Sequence, residues 1–522
     1  MCLTALTGCG PKNYKQDADE RVYSIVDQKW QGDFGGKVNY RVSDVVPGAD
    51  DIRVDRTIPA SGVLTLPQAV AIATAHNREY QEQKEQLYTT ALDLRLVRHD
   101  FEYRLFGGGS RLYSGDGTDE AISSEVNVGF NRLLKTGTQI AARVATAWTK
   151  VLLGSADSGF STLFTAAVAH PLMRGSERAI VLERLTQAER DTLYQIRAFN
   201  RFRKTFVVDV ISQYYRALEL QDLAQNARDH LDGLKTLHDQ VATLSSAGRV
   251  PLIEIDRLRQ EMLQAREGVI RSQKEYERFV DRFKITLGLP TTLEFQLDAA
   301  VFSTLVDTGI PESDVVIDEA VEVALLRRLD MANRADAVLD AQRAVHVAAD
   351  NLRGGLSVGG DVTMNTDGDI AGTAGAVLDL PLDRVAEQNT YRKALIALER
   401  SRRDYDLATD TVRMEVREAY RRLQETAERY AVLTEGRELA GERLEKTAAL
   451  MQYGRASSRR VLVAQQDLYA AENAATDALT DYVVAMLDFY RDTGVLQVRP
   501  DGMWETGPDA VRMTGRTVAG PR

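Results

Sequence analysis

Residues 248–290 read GRVPLIEIDRLRQEMLQAREGVIRSQKEYERFVDRFKITLGLP, and residues 454–494 read GRASSRRVLVAQQDLYAAENAATDALTDYVVAMLDFYRDTG. At one fixed offset of 206, Gly248 meets Gly454, Arg249 meets Arg455, Gln260 meets Gln466, Ala265 meets Ala471, Tyr276 meets Tyr482, Phe283 meets Phe489 and Gly288 meets Gly494. Coincidence over so long a segment marks the chain as one unit duplicated. The apolar register repeats too: Ile255, Leu258, Met262, Ala265, Val269, Tyr276, Phe279 and Phe283 match Val461, Ala464, Leu468, Ala471, Ala475, Tyr482, Ala485 and Phe489. Steps of three and four residues form a heptad seam, and small residues on it let helices approach closely.

The duplication extends outward through the positions where Pro and Gly are missing, because both are penalised inside helices. Pro67 opens a predicted helix of about 40 residues that runs to Gly107. From Gly175 to Gly248 only Gly233 interrupts a run of about 70, and residues 252–287 add about 36. The same three lengths return over 314–353, 384–453 and 457–492. A helix of about 70 residues is about 105 Å long at 1.5 Å per residue and needs cover along its apolar stripe. The shorter helices, stacked end to end, match that length.

Between the shorter and longer helices the pattern changes to period two, as in strands. Residues 124–133 alternate, Lys135-Thr136-Gly137 reads as a turn, 139–148 return, and 160–168 lead to Pro171. In the second half 356–364 alternate, Thr366-Asp367-Gly368-Asp369 is a hairpin signal, and 370–380 return to Pro381. The offset is 251 at Ala69 and Ala320 but 210 at Pro171 and Pro381, so the second insert is shorter by 41 residues. The extra length in the first half is expected as an external loop or an additional hairpin. About two strands per half give about four per chain, too few to close a barrel, and open edges do not survive in lipid. Two copies would supply eight strands and three would supply twelve.

Composition narrows the function classes. The chain has 522 residues, 44% of them apolar and 27% charged, with a formal net charge of −11. That is ample for a folded core and argues against nucleic acid as the main partner. No unbroken apolar run reaches the roughly 18 residues of a membrane-spanning helix. Membrane contact would therefore go through strands or a lipid. Cys2 and Cys9 lie in the first ten residues, so no disulfide framework or cysteine metal cage is expected. Leu6-Thr7-Gly8-Cys9 resembles a bacterial lipobox, which would make Cys9 the lipidated residue. Only eight residues precede it and none is Lys or Arg, so either the start lies upstream or the tetrapeptide is coincidental.

These features together resemble the TolC family of outer-membrane efflux proteins, in its lipoprotein subtype. The matching pieces are Leu66-Pro67-Gln68-Ala69-Val70 with residues 75–80 (AHNREY), the turn His170-Pro171-Leu172-Met173-Arg174-Gly175, its repeat Leu380-Pro381-Leu382-Asp383-Arg384, and the tip motif Tyr453-Gly454-Arg455-Ala456-Ser457. They span about residues 63–495. The resemblance implies a mainly α fold with a membrane β-barrel part: a duplicated helix-strand-strand-helix unit whose homotrimer closes a 12-stranded barrel continued by a periplasmic α-helical coiled-coil tunnel. It implies a passive exit duct, anchored in outer-membrane lipid of a Gram-negative-type bacterium and serving a tripartite efflux or type I secretion system. Its partners would be a periplasmic membrane-fusion adaptor and, through it, an inner-membrane pump. The expected organisation is 1–62 signal remnant and tether, 63–290 first repeat, 291–312 linker, 313–495 second repeat and 496–522 irregular tail.

The resemblance assigns adaptor contact to the tips, here Gly248, Arg249, Pro251, Gly454, Arg455 and Ser457. Pro171, Gly175 and Pro381 would redirect strand into helix at the barrel-to-tunnel junction. The family prototype narrows its tip with acidic residues six and nine positions after the second glycine, where this chain has Arg460 and Val463. A mixed constriction is expected instead, with Arg459 and Arg460 near Glu254 and Asp256.

No enzyme, cofactor or metal is expected. Gly355-Leu356-Ser357-Val358-Gly359 fits a nucleophile-elbow string, but it sits in an alternating strand that continues past Gly360. The six histidines are scattered without ligand spacing. The alternative of a different class is a non-membrane scaffold of antiparallel coiled coils, with soluble hairpins and an unmodified Cys9.

Overall fold

The computed structural model describes residues 11–37, 39–42, 44–45, 62–115, 119–153, 158–300, 315–380, 382–499 and 503–506. The chain divides into two compact units. One comprises 1–30, 86–196 and 333–407; the other comprises 31–85, 197–332 and 408–522.

The first unit holds a single six-stranded sheet. Its strands are β2 (Arg104–Gly115), β3 (Glu120–Leu133), β4 (Gln139–Leu153), β5 (Gly159–Pro171), β7 (Gly355–Asn365) and β8 (Ile370–Asp379). They follow one another in that order, every neighbouring pair antiparallel. Among the described residues the expected count of four strands is therefore corrected to six, four from the first half and two from the second. The expectation of twelve strands from three copies rested on four strands per chain, and this sheet holds six. The segment not expected as a strand is β2, where Gly107, expected as the stop of the first helix, lies beside Gly108 and Gly109. They sit instead within the strand, each paired across to β3.

The turns between these strands obey their local chemistry. Gly137 takes φ +81 in the turn joining β3 and β4, and its amide donates to the Leu134 carbonyl at 2.9 Å. Gly368 takes φ +85, and Asn365 Oδ1 accepts from the amides of Asp367 and Asp369 at 3.1 and 2.8 Å. This side-chain turn explains why the Asn-Thr-Asp-Gly-Asp string closes a hairpin.

After the short α4 (Arg178–Val181), the long helices match the expected lengths closely: α5 (Glu183–Ser246, 64 residues), α6 (Leu252–Leu287, 36), α9 (Val385–Gln452, 68) and α10 (Ser458–Asp492, 35). Gly233 does not break α5; Gln465 Nε2 donates to its carbonyl at 3.2 Å. Each predicted helix of about 40 residues is two. In the first half α2 (Leu66–His76) and α3 (Arg78–His99) meet at Asn77, and in the second α7 (Ile317–Arg327) and α8 (Leu329–Asp350) meet at Arg328. Both joints are extended residues, with ψ of 131° and 119°. Asn77 caps α3, its Oδ1 accepting from the Tyr80 amide at 2.9 Å, while its Nδ2 donates to the Thr286 carbonyl at 2.8 Å.

Three further corrections concern the expected tether, linker and tail. Part of the expected tether is helix α1 (Pro11–Lys29), with Val22, Tyr23, Ile25 and Val26 buried. It packs on α3: Asp19 accepts from the Tyr88 hydroxyl at 2.6 Å and Asp17 pairs with Arg95 at 2.7 Å. The linker contains β6 (Gln296–Leu297), which pairs in parallel with β1 (Val63–Leu64). Part of the tail expected as irregular is a hairpin of β9 (Leu496–Val498) and β10 (Trp504–Thr506), with Val498, Met503 and Trp504 buried. Among the described residues no helix is long and apolar enough to cross a membrane.

Candidate functional site: the tip turns and the sheet faces

The two tip turns lie in the second unit and are built alike. Gly248 ends α5 at φ +70, its amide donating to the Ser245 carbonyl at 2.9 Å while Arg249 N donates to the Leu244 carbonyl at 3.0 Å. Gly454 ends α9 at φ +71, with Gly454 N donating to Met451 O at 2.9 Å and Arg455 N to Leu450 O at 2.8 Å. These paired bonds are the Schellman stop, which satisfies the last helix carbonyls and favours glycine at its left-handed residue. Pro251 and Ser457 then start the return helices with extended backbone. Behind the turns, Leu234, Leu237 and Val241 of α5, Leu258 of α6, Met451 of α9 and Val461 and Leu462 of α10 form one buried cluster. The four helix ends are thus held as a packed bundle whose turns stay in water.

The polar tip residues are arranged differently from expectation. Glu254 accepts from Arg257 Nη1 at 3.0 and 3.2 Å and from Ser458 Oγ at 3.3 Å, so it bridges the two tips through a serine. Arg459, Arg460 and Asp256 are exposed, and neither arginine pairs with Glu254 or Asp256 within the chain. The physical reason is helix phase: in α10 the cluster takes Ser458, Val461 and Leu462 inward, which leaves 459 and 460 outside. Arg249 and Arg455 are exposed as well, beside the exposed apolar side chains Leu252, Ile253 and Tyr453.

At the helix end of the sheet, Gly175 takes φ +73 and its amide donates to the buried Asp350 carboxylate at 2.8 Å. Leu172 N donates to Leu356 O at 2.7 Å, and Arg174 pairs with Asp379 at 2.8 Å. Pro171 closes β5 and packs on Gly137. This network ties the turn after β5 to β7, β8 and the end of α8. Pro381 and Cys9 lie outside the described residues.

The sheet's two faces differ in chemistry, a difference that depends on strand register and so is not visible in the sequence alone. Cross-strand pairing places Leu105 beside Phe130, Phe130 beside Ala142, and Ala142 beside Ala166, which adjoins Val362. Two residues along, Val128, Val144, Phe164, Met364 and Ile370 form a row across five strands. Their side chains are exposed, Val128 at 59% and Ile370 at 70%. Tyr113, Trp148 and Phe160 gather toward the loop end of this face, with Lys150 and Arg111 among them. The opposite face carries Glu125, Asn127, Arg143, Thr165, Asp361, Thr363 and Thr373, although Phe106, Leu112, Leu163 and Val377 interrupt it. An exposed apolar face backed by a polar one is the alternation that a lipid-facing wall requires.

Comparison with known proteins places this architecture. No family model matches the sequence, and no curated protein matches it. Solved structures do match in fold. CusC, described for conformational changes accompanying its folding and transmembrane channel formation, aligns with a TM-score of 0.60 at 15% identity, covering 87% of this chain and 96% of that one. VceC of Vibrio cholerae aligns at 0.59 and 13% identity, covering 82% and 96%. The Campylobacter jejuni CmeC outer-membrane channel aligns at 0.58 and 14%, covering 86% and 88%. The chain has the fold of outer-membrane channel proteins, as the TolC-family resemblance implied for the single chain.

Proposed function

We propose that the chain is the protomer of a trimeric outer-membrane exit duct, passive in transport and serving a tripartite efflux or type I secretion system. The observation that carries this reading is the apolar face running across every strand of an open sheet whose fold is that of outer-membrane channels. A sheet of this kind cannot rest in lipid with free edges, so copies join edge to edge until the ring closes. The polar face then lines the lumen. The tips at Gly248, Arg249, Pro251, Gly454, Arg455 and Ser457 meet a periplasmic adaptor, using exposed arginines beside Leu252, Ile253 and Tyr453. Any narrowing by Glu254, Asp256, Arg459 and Arg460 arises between copies. Cys9 carries the lipid that tethers the chain to the outer membrane.

Expression behind an intact lipoprotein signal, detergent extraction of the envelope and mass by light scattering test this. Three chains of 57.9 kDa give about 174 kDa of protein, released only by detergent. A monomer or dimer released without detergent would overturn the duct and favour the coiled-coil scaffold.

A further inference from the structure

The 41-residue difference between the halves can now be assigned to particular strands. With the offset of 251, α8 and β7 fall on α3 and β2: Asp350 maps to His99 and Gly355 to Arg104, the very ends and starts of those elements. With the offset of 210, β8 falls on β5. What has no counterpart in the second half is β3 with β4. In the second half β7 pairs directly with β8, whereas in the first the equivalent strands β2 and β5 are held apart by the inserted pair.

The insert is built as wall. Twelve residues of β3 pair with β2, and β4 pairs with β5 from Gln139 to Thr149, so both outer edges of the insert are hydrogen-bonded within the sheet. Its side-chain alternation is in phase with its neighbours. Val126, Val128, Phe130, Val144 and Trp148 join the apolar face, and Glu125, Asn127, Asn131 and Arg143 join the polar one. An external loop or lumen plug would need neither the register nor the phase, and would leave that apolar surface in water.

Among the described residues the edges of this sheet without a neighbouring strand are then β2 and β8. With six strands alternating in direction, β8 of one copy runs antiparallel to β2 of the next, so the seam between copies repeats the geometry inside each chain. This joint is heterologous and closes by rotation.

Resting on the trimeric duct above, we propose that β3 and β4 are structural staves of the barrel, so that each chain supplies six strands and three copies close an eighteen-stranded wall. Barrel diameter grows roughly linearly with strand number, which makes this wall about 1.5 times as wide as one of twelve, in the range that leaves an aqueous channel. The outer exit is therefore suited to bulky hydrated cargo.

Engineered cysteine pairs decide where the insert lies. Val144 and Phe164 face each other across β4 and β5, so Val144→Cys with Phe164→Cys is expected to cross-link within each chain of the extracted trimer. Leu105 and Val168 would be partners only if β2 lay directly on β5, in the register that pairs Leu356 with Leu378. Leu105→Cys with Val168→Cys is expected to stay reduced in the full chain and to cross-link once residues 120–157 are deleted. End-on single-particle views should show the full-length wall about 1.5 times as wide as that of the deletion variant. If the deletion variant does not assemble, the full-length diameter and the two cysteine pairs decide. A Leu105–Val168 cross-link in full-length trimers, or a twelve-strand diameter, overturns the eighteen-stranded wall while leaving the duct standing. Failure to find a trimer removes the duct itself.

Discussion

Gly288 sits at φ +73 with its α-carbon pressed against the end of α2, where a β-carbon would stand 2.5 Å from the His76 carbonyl oxygen. The relationship is repeated in the second half: Gly494, at φ +77, faces Arg327, with a would-be β-carbon 3.3 Å from its carbonyl carbon. His76 and Arg327 are the last residues before the two helix joints. Each return helix thus ends by tucking a glycine into the break of its own half.

Space, rather than conformation alone, should therefore separate three glycines that share nearly one φ. Gly454 has nothing within 4 Å of a would-be β-carbon, so Gly454→Ala meets only the left-handed penalty of about 1–2 kcal/mol. Gly288→Ala adds a collision with backbone that cannot move without unwinding α2. The expected order of melting temperature in detergent is wild type, then Gly454→Ala, then Gly494→Ala, with Gly288→Ala lowest. Equal losses at 288 and 454 would show that the contact with His76 gives way freely.

Arg328 shows why the joints were not legible in the sequence. A single extended residue breaks each helix without the Pro or Gly that marks a stop, and at 328 a tertiary ion network holds the break open. The Arg328 side chain is buried, donates to Asp330 at 3.2 and 2.8 Å, and pairs with Glu415. Asn77 did carry a local signal, since it caps α3, but only the repeat at 328 makes it a designed feature. The tip stops, the return helices and the heptad seam were legible because glycine, proline and period are local properties. Strand β2 would have been legible had the offset of 251 been followed past Ala69 to Gly355 and Arg104. Which face of the sheet is apolar could not be read before register fixed which strands lie side by side. The pairing partners of Glu254 at the tip depended likewise on how two distant turns pack.

Removing the arginine tests that network. Arg328→Ala leaves Asp330 and Glu415 without their shared donor, and hydrogen bonds to charged groups are worth about 1.5–3 kcal/mol. Burial acts against the Asp330 charge, yet Arg328 and Arg201 hold its carboxyl below the usual range. That contribution is present above pH about 4 and is lost on acidification. Wild type should therefore lose stability toward pH 3 more steeply than Arg328→Ala. As a control, Arg413→Ala, which breaks an exposed pair with Asp410, should cost under about 1 kcal/mol.

Glu219 gives the opposite pH dependence. Its side chain is fully buried beside Arg216, whose Nη1 lies 2.6 Å from Oε1, and burial pushes the carboxyl up to about 8 against the pull of that guanidinium. Between the ordinary carboxyl value of 4.5 and about 8, the folded chain keeps a proton that the unfolded chain has released. Stability from this group is thus full below about 4.5 and declines as pH rises to about 8. Glu219→Gln keeps the shape and removes the titration, so its melting temperature should change less between pH 5 and 8.5 than that of wild type. A variant that melts lower than wild type at pH 8.5 would show that the ionised carboxylate with Arg216 is the more stable arrangement.

The face assignment makes a prediction that depends on parity alone. Asn127 and Val128 are adjacent in β3, equal in local backbone, and point to opposite sides of the sheet. If the apolar face meets lipid, Val128→Lys places a charge in hydrocarbon, at about 2–4 kcal/mol if the site lies near the midplane, whereas Asn127→Lys places it in a watery lumen at little cost. The same contrast should appear in β4, with Val144→Lys harmful and Ala145→Lys tolerated. Yield of detergent-extracted trimer, measured for all four variants, reads the difference as an alternation in phase with the strand. Equal yields for each adjacent pair would mean that both faces see the same solvent. A scaffold whose hairpins stand in water would give that result, because a lysine on either side would then improve its solubility.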